Sequence, residues 1–210
     1  IGCGWGGVAK YAVEERGAHV TGITISKAQH EFASNRLAAA GLADRADVRL
    51  VDYRDVDGTF DKIVSIEMFE AVGQAYWQTY FEALSRLLKN GGRAALQAIT
   101  IEEKAFEEYR ANPDFIQRYI FPGGMLPSMP RLEQPVDAAG LKLVVEKGYG
   151  LDYARTLAEW RERFIAAWPS LSGKTFDMRF KRMWELYLSY CEGGFRAGQI
   201  DVKHLLFEHK

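Results

Sequence analysis

The chain has 210 residues, of which 48% are hydrophobic and 26% charged, enough to bury one full core without requiring two independent domains. A formal net charge of −1 gives no general pull toward nucleic acid, and no basic run exceeds a few residues. Cys3 and Cys191 stand far apart with no metal-type spacing, so neither a disulfide framework nor a metal site is expected, and reduced thiols fit a cytosolic setting. No apolar stretch reaches about 20 residues, so any membrane contact is expected to be peripheral.

The chain opens on Ile1-Gly2-Cys3-Gly4-Trp5-Gly6-Gly7. Glycines 2, 4 and 7 fit G-x-G-x-x-G, in which absent Cβ atoms let backbone N–H groups and a helix N-terminus approach a cofactor. The spacing predicts a helix over 8–15 and a β-branched strand over 19–25, a βαβ opening. Such a loop follows a buried first strand, so the chain is expected to begin inside its cofactor site and to lack an N-terminal segment. Dinucleotide enzymes place an acid about 20 residues on, at the ribose hydroxyls; here the strand ends in Thr24-Ile25-Ser26, with Gln29 nearby. An NAD reading loses ground, and S-adenosylmethionine, which has no pyrophosphate, is the better expectation.

Next come a predicted helix over 27–40 closed by Gly41, strands over 48–51 and 62–66, a helix over 74–89 stopped by Asn90-Gly91-Gly92, and a strand over 93–100. Alternating strands and helices predict an α/β fold with a mostly parallel sheet. Ligands then sit outside the strands' carboxyl ends, along a rim of Thr24, Tyr53, residues 66–70 and residues 97–100. The regularity breaks at 102–130, a segment holding Phe106, Tyr109, Phe115, Tyr119 and Phe121. A helix over 131–139 and a strand over 141–146 follow, then a helical insertion over 156–194 carrying Trp160, Trp168, Trp184 and Tyr187, and a last strand over 202–208. Residue by residue, such aromatics read as core packing; that both insertions leave the same rim makes them a candidate substrate cap.

His19 begins a strand, His30 sits in a helix, and His204 and His209 belong to the last strand, poor places for catalysis, so a histidine base is not expected. No Ser-His-Asp arrangement and no zinc ligand cluster is visible, which leaves group transfer from a reactive cofactor. Glu67 and Glu70 follow the 62–66 strand at the rim, where a carboxyl can be desolvated and raised in pKa. Glu70 is the preferred acid, against the alternative of a solvated glutamate at a helix start.

Six segments in this order resemble the cyclopropane-fatty-acyl-phospholipid synthases, a family that includes the mycolic acid cyclopropane synthases: IGCGWGG at 1–7, GITISKAQ at 22–29, IVSIEMFEAVG at 63–73, IFPGGMLPS at 120–128, DYARTLAEW at 152–160 and CEGGFRAGQIDV at 191–202. The resemblance covers essentially the whole chain. It implies a class I S-adenosylmethionine-dependent methyltransferase fold, Rossmann-like, in one domain, with insertions at about 101–130 and 154–198 forming a lipid-binding cap. It implies cofactor contacts from Gly2, Cys3 and Gly4, from Thr24, Ile25, Ser26, Lys27, Ala28 and Gln29, from Tyr53 and Arg54, and from Ile66.

The implied reaction delivers the methyl group to the double bond of a phospholipid's unsaturated acyl chain, and the cation then loses a proton to close a cyclopropane ring. The implied proton acceptor is a bound bicarbonate, caged by Glu70, Gln97, the backbone of Ile99, and Tyr153. Those relatives carry a histidine where this chain has Gln97, an amide that cannot titrate near neutrality. Proton loss to a methylene branch, later reducible to a methyl branch, is therefore the alternative outcome. Cys191 is a further catalytic candidate in the family, although no lysine or histidine is close in sequence to activate its thiol. Relatives also carry an N-terminal segment that closes over the cofactor and gives the cage a cysteine, and this chain is expected to lack it. A small-molecule methyltransferase with a polar pocket and a non-catalytic binding protein are the other readings. The implied setting is cytoplasmic and peripherally membrane-associated, with a homodimer as one assembly. Arg179, Lys181 and Arg182 beside Phe180, Met183 and Trp184 read first as a solvated helix face, with contact to an anionic bilayer as the alternative.

Overall fold

A computed structural model describes residues 1–171, 173 and 176–210. Helix α1 (Gly7–Arg16) starts from Gly6 at φ 78° and stops at Gly17, φ 62°, whose N–H is donated back to the Ala12 and Val13 carbonyls. Strand β1 (Val20–Thr24) leads into α2 (Lys27–Ala39), whose first turn is capped by the Ser26 hydroxyl accepting from the Gln29 N–H. Strand β2 (Ala46–Leu50) pairs parallel with β1, Val20 opposite Ala46 and Thr24 opposite Leu50. Ala9 and Val13 of α1 and Ala33 and Leu37 of α2 bury themselves with Ala46 and Val48, a small core of its own.

The second sheet has the order β3-β4-β6-β5. Strand β3 (Phe60–Ile66) runs parallel to β4 (Leu88–Ile101), with α3 (Trp77–Leu87) between them. Then follow α4 (Glu103–Ala111), α5 (Phe115–Tyr119), α6 (Met129–Ala138), β5 (Leu141–Gly148), α7 (Gly150–Leu171), α8 (Met178–Arg196) and β6 (Ile200–His209). Trp77, Tyr80, Phe81, Leu84 and Leu87 of α3 pack with Leu96 and Ala98 of β4, Leu205 and Phe207 of β6, Phe106 and Leu132. A third cluster, Ala154, Leu157, Leu188, Phe195 and Val202, seats the α7–α8 hairpin against β6.

The sheet is mostly parallel, as expected: β1 pairs parallel with β2 and β3 with β4, and β6 is the reversed strand, antiparallel to both β4 and β5; α7 and α8 leave the rim and return to it, so the chain re-enters the sheet from the opposite end. One expectation is corrected. The segment Asn90-Gly91-Gly92 is not a helix stop. The helix ends at Leu87, and these residues form an irregularity within β4, with Gly91 at φ 76° and a register shift opposite Phe60 and Lys62. A Cβ on Gly92 would lie 2.8 Å from the Lys89 carbonyl oxygen and 2.9 Å from that of Asp61.

The two sheets meet at the first three residues. The Ile1 amino group donates to the Val64 carbonyl at 2.7 Å, and the Cys3 N–H donates to the Ile23 carbonyl at 2.9 Å. The start of the glycine loop therefore lies between β3 and β1 and bonds to an edge of each.

The structure also reassigns the loop's third glycine. Gly6 holds the left-handed conformation, and a Cβ there would come within 3.0 Å of the Ala33 side chain, whereas Gly7 begins the helix and would meet only the Arg36 guanidinium at 3.9 Å. Gly6→Ala should cost about 1–2 kcal/mol from backbone strain alone, while Gly7→Ala should be neutral or slightly stabilising. Urea unfolding of the two variants checks this, and equal losses would contradict it.

Candidate functional site

The strand ends and helix starts build the site from one rim. At the glycine loop, Gly2 at φ 69° lies so close to Met68 that a Cβ would stand 2.7 Å from its Cγ. Gly4, φ 54°, faces open space, and no side chain caps α1, so backbone N–H groups at this end stay available to a ligand. Cys3 contributes its backbone to β1, and burial pushes its thiol upward in pKa. Gly22 lets β1 pass this segment, since a Cβ there would lie 3.0 Å from that of Cys3.

At the end of β1 the hydroxyls are knitted together. Buried Thr24 donates from Oγ1 to Gln29 Oε1 at 2.8 Å and accepts from the Ser26 N–H at 3.1 Å. Ile25 is 77% exposed, and Lys27 and Ala28 follow as the first residues of α2. Tyr53 and Arg54 stand on a short 3-10 turn after β2, where the Tyr53 ring packs edge-on against buried Tyr80. Arg54 is held by Asp52 at 2.8 Å, which lowers the aspartate's pKa. Ile66 closes β3 with its side chain 40% exposed. These predicted cofactor residues line the C-terminal ends of β1, β2 and β3.

Beyond Ile66 the chain leaves β3 through Glu67, at φ 51° the one non-glycine residue with positive φ among the described residues. Its N–H donates to the Gln97 carbonyl at 2.9 Å. Its carboxyl Oε1 accepts twice, from Gln97 Nε2 at 2.6 Å and from the Tyr153 hydroxyl at 2.6 Å. A carboxylate only accepts, so the Gln97 amide must turn its NH2 to Glu67 and its oxygen to the other side. There His204 Nε2 lies 2.9 Å from Gln97 Oε1 and must donate. His204 is the cross-strand partner of Gln97 in the β4–β6 register, and its ring packs 4.5 Å from that of Tyr149. Set aside on sequence position, this histidine stands beside the site, and β4–β6 pairing is what brings it there.

Glu70 follows on a 3-10 turn, Phe69–Ala71. One oxygen accepts from the Ile99 N–H at 2.6 Å; the other is buried with no partner among the described residues. Burial raises the carboxyl to about 7, against the opposing pull of the Ile99 N–H and with a further push from the Glu67 charge. Its own backbone carbonyl accepts from the Met125 N–H at 2.8 Å, which ties the first insertion to this turn. That insertion is braced internally by Gln117 Nε2 donating to the Gly124 carbonyl at 2.9 Å, and to α8 by the Tyr190 hydroxyl donating to Asp114 at 3.0 Å.

Beside these carboxyls Tyr153 packs against Trp160 and Phe195, and a second set of rings, Phe164, Phe180, Trp184 and Tyr187, runs along the α7–α8 hairpin. Phe121 of the first insertion reaches Tyr187, and Phe115 reaches Tyr190. Phe106 belongs to neither set: it is fully buried in the main core against Trp77. Burial pushes the Tyr187 hydroxyl up to about 12 and raises that of Tyr153 further, with the Glu67 bond adding to the rise, so both remain protonated donors. Cys191 on α8 packs at the edge of the hairpin core, and burial pushes its thiol up to about 12, the opposite of what an activated nucleophile needs. Lys181, on the basic face of α8, is paired with Glu185 at 3.4 Å and lies over the Trp168 ring.

With this geometry in view, residues 1–205 match the family model described as mycolic acid cyclopropane synthetase. The chain belongs to this family. Among curated members, it is 46% identical over 203 residues to a tuberculostearic acid methyltransferase of Mycobacterium tuberculosis, covering 96% of this chain and 47% of that protein. It is 39% identical over 209 residues to a cyclopropane-fatty-acyl-phospholipid synthase of Escherichia coli K12, covering 99% and 52%. The chain thus spans about half the length of the curated relatives it matches. Among solved members, the cyclopropane synthase MmaA2 of Mycobacterium tuberculosis superposes with a TM-score of 0.90 at 26% identity, covering 99% of this chain and 75% of that one. The mycolic acid cyclopropane synthase CmaA1, solved with SAH and CTAB, gives 0.90 at 29%, covering 100% and 76%. The fold is that of the class I methyltransferases. Among the described residues no helix is long and apolar enough to cross a membrane.

The donors that family resemblance assigns to a bicarbonate cage are filled from within the chain: Gln97 and Tyr153 by Glu67, and the Ile99 N–H by Glu70. The residues present do not fit a separate anion.

The raised Glu70 carboxyl has a direct signature in stability. A carboxyl raised by folding contributes stability that is fully present below pH about 4.5 and lost as pH rises through about 7. Glu70→Gln should therefore flatten the decline in stability across that window and gain about 3 kcal/mol relative to the parent at higher pH. Denaturant unfolding from pH 4 to 8 checks this, and parallel curves would contradict it.

Proposed function

We propose that the protein is an S-adenosylmethionine-dependent methyltransferase whose acceptor is the double bond of an unsaturated fatty acyl chain, carried on a phospholipid, and that proton loss then closes a cyclopropane ring. We read it as one methyltransferase domain in which the insertions at about 101–130 and 154–198 form the acyl cap. The observation that carries this reading is the aromatic α7–α8 hairpin: Tyr153, packed on Trp160 and Phe195, stands beside two carboxyls at the strand-end rim, and Phe164, Phe180, Trp184 and Tyr187 form a second set of rings along the same hairpin.

Bound S-adenosylmethionine would supply an electrophilic methyl group. The open space at Gly4, the tight passage of Gly2 over Met68 and the uncapped α1 terminus fit a cofactor held by Gly2, Cys3 and Gly4. Thr24 through Gln29, Tyr53, Arg54 and Ile66 would hold its remaining parts from the adjoining strand ends. An alkene has no acidic proton to remove before attack, so the chain's task is to orient the acceptor, exclude water and face a developing cation with aromatic rings. Tyr153, Tyr187 and Trp160 are suited to this, and the buried Glu70 indicates how dry the turn is. A small polar acceptor finds little support in such a lining. Because the acceptor is a lipid, we place the working protein at a membrane surface.

A second reading, a methylene- or methyl-branched product, is favoured by one residue. Gln97 cannot titrate, and the 46% identical relative is named a methyltransferase rather than a ring synthase.

Full-length protein incubated with S-adenosylmethionine and vesicles of unsaturated phospholipid should add one methylene to the acyl chain, read by mass spectrometry of the fatty-acid methyl esters. A product that resists mild hydrogenation is the ring; one that takes up hydrogen is the methylene branch. No lipid product despite measured cofactor binding would reject the acyl acceptor.

A further inference from the structure

We propose that Glu67 is the resident base of this site, its carboxylate standing where a bound inorganic anion would otherwise sit and taking the proton that leaves after methyl transfer. This rests on the acyl double-bond reading above. The left-handed region is strained for a glutamate, and Glu67 is held there at φ 51° by its N–H bond to the Gln97 carbonyl and two bonds to its side chain. Strain kept in place by converging bonds at a cleft marks a residue whose position matters.

Both side-chain bonds fall on Oε1, from Gln97 and from Tyr153, and among the described residues Oε2 accepts none. The carboxylate is thus oriented by one oxygen and left with the other as an acceptor. His204, donating to Gln97 Oε1, locks the amide so that its NH2 faces Glu67, which makes it a positioning residue. Tyr153 joins the same carboxylate to the ring-lined hairpin. A second anion placed here would meet the Glu67 charge with no free donor among Gln97, Tyr153 and the Ile99 N–H, and like charges at such range repel.

The chemistry asks little of the base, because a C–H beside a carbocation is strongly acidic. The alkene's π pair forms the bond to the incoming methyl carbon, as its bond to the sulfonium sulfur breaks and leaves a thioether. The other alkene carbon becomes electron-deficient, and Glu67 Oε2 accepts a proton. If that proton leaves the added methyl directly, the C–H pair closes the ring; if a hydride first shifts from the methylated carbon to the electron-deficient one, loss of the proton from the same methyl forms the double bond of a methylene branch. The proton then passes to solvent, and no oxidant or reductant is needed.

The test compares full-length wild type, Glu67→Gly and Glu67→Gln in carbonate-depleted buffer with and without added bicarbonate. Wild type should be indifferent to bicarbonate. Both variants should lose about 100-fold or more in kcat, the scale of a general base. Glu67→Gly, which relieves the backbone and vacates the donors, should recover with bicarbonate, while Glu67→Gln should not. Independently of turnover, labelled bicarbonate followed by NMR should bind Glu67→Gly and not wild type, and thermal unfolding should show Glu67→Gly at least as stable. A wild type that needs or binds bicarbonate, or a Glu67→Gly at full rate without it, overturns the proposal. Lipid product from a bicarbonate-dependent wild type would reject the Glu67 base and leave the acyl reading standing. The expected binding pattern with no lipid product from any form would reject the acyl acceptor and keep Glu67 as the resident anion.

Discussion

Pairing on both sides of β4 is the constraint on which the site depends. Ala94, Leu96 and Ala98 point into the core, so the two-residue period of a strand sends Gln97 and Ile99 to the opposite face. Pairing with β3 sets Ile66 opposite Gln97, and therefore places Glu67 and the turn bearing Glu70 just past its end. Pairing with β6 sets His204 opposite the same glutamine. A slip of one residue in either ladder would bury Gln97 and turn its neighbours outward, so the core that fixes the register also fixes the amide between its two partners.

Around that strand two carboxyls three residues apart live in different surroundings. Glu70 is enclosed with one oxygen unpaired, and desolvation keeps it near half-protonated at neutral pH. Glu67 lies on the exposed side and is met by an amide and a phenol. The Glu67 charge helps raise Glu70, so protonation of the enclosed group is linked to the charge on its neighbour. Distinct environments for adjacent carboxyls are how one short turn can present both an acid and an acceptor.

Much of the frame was legible from residue pattern alone. The glycine loop, the β-branched strand after it and the alternation of elements announced an α/β fold, and the rim rule brought Thr24, Tyr53, Glu70 and Gln97 to the strand ends. The mostly parallel sheet was legible as well, and what stayed hidden lay in tertiary geometry. The reversal of β6 depends on the α7–α8 hairpin returning to its starting point, which no local propensity records. Gly6 and Gly7 are equivalent in a motif, and their roles separate only when α2 packs beside the loop. His204 could be placed on the last strand but not beside Gln97, 107 residues away, until strand pairing closes that distance. The strained backbone of Glu67 has no signature in a glutamate codon's worth of sequence; the left-handed turn becomes visible when the chain must leave β3 there.

The bond from Met125 to the Glu70 carbonyl couples the first insertion to the enclosed acid. Met125 continues from Gly124, which Gln117 holds, and the same helix start offers Asp114 to Tyr190. Loop, turn and hairpin are therefore linked in series with the backbone of the enclosed acid. Any movement of these segments that let water reach Glu70 would return its carboxyl toward an ordinary affinity for protons. The protonation of one buried side chain thus reports how tightly loop, turn and hairpin close around it.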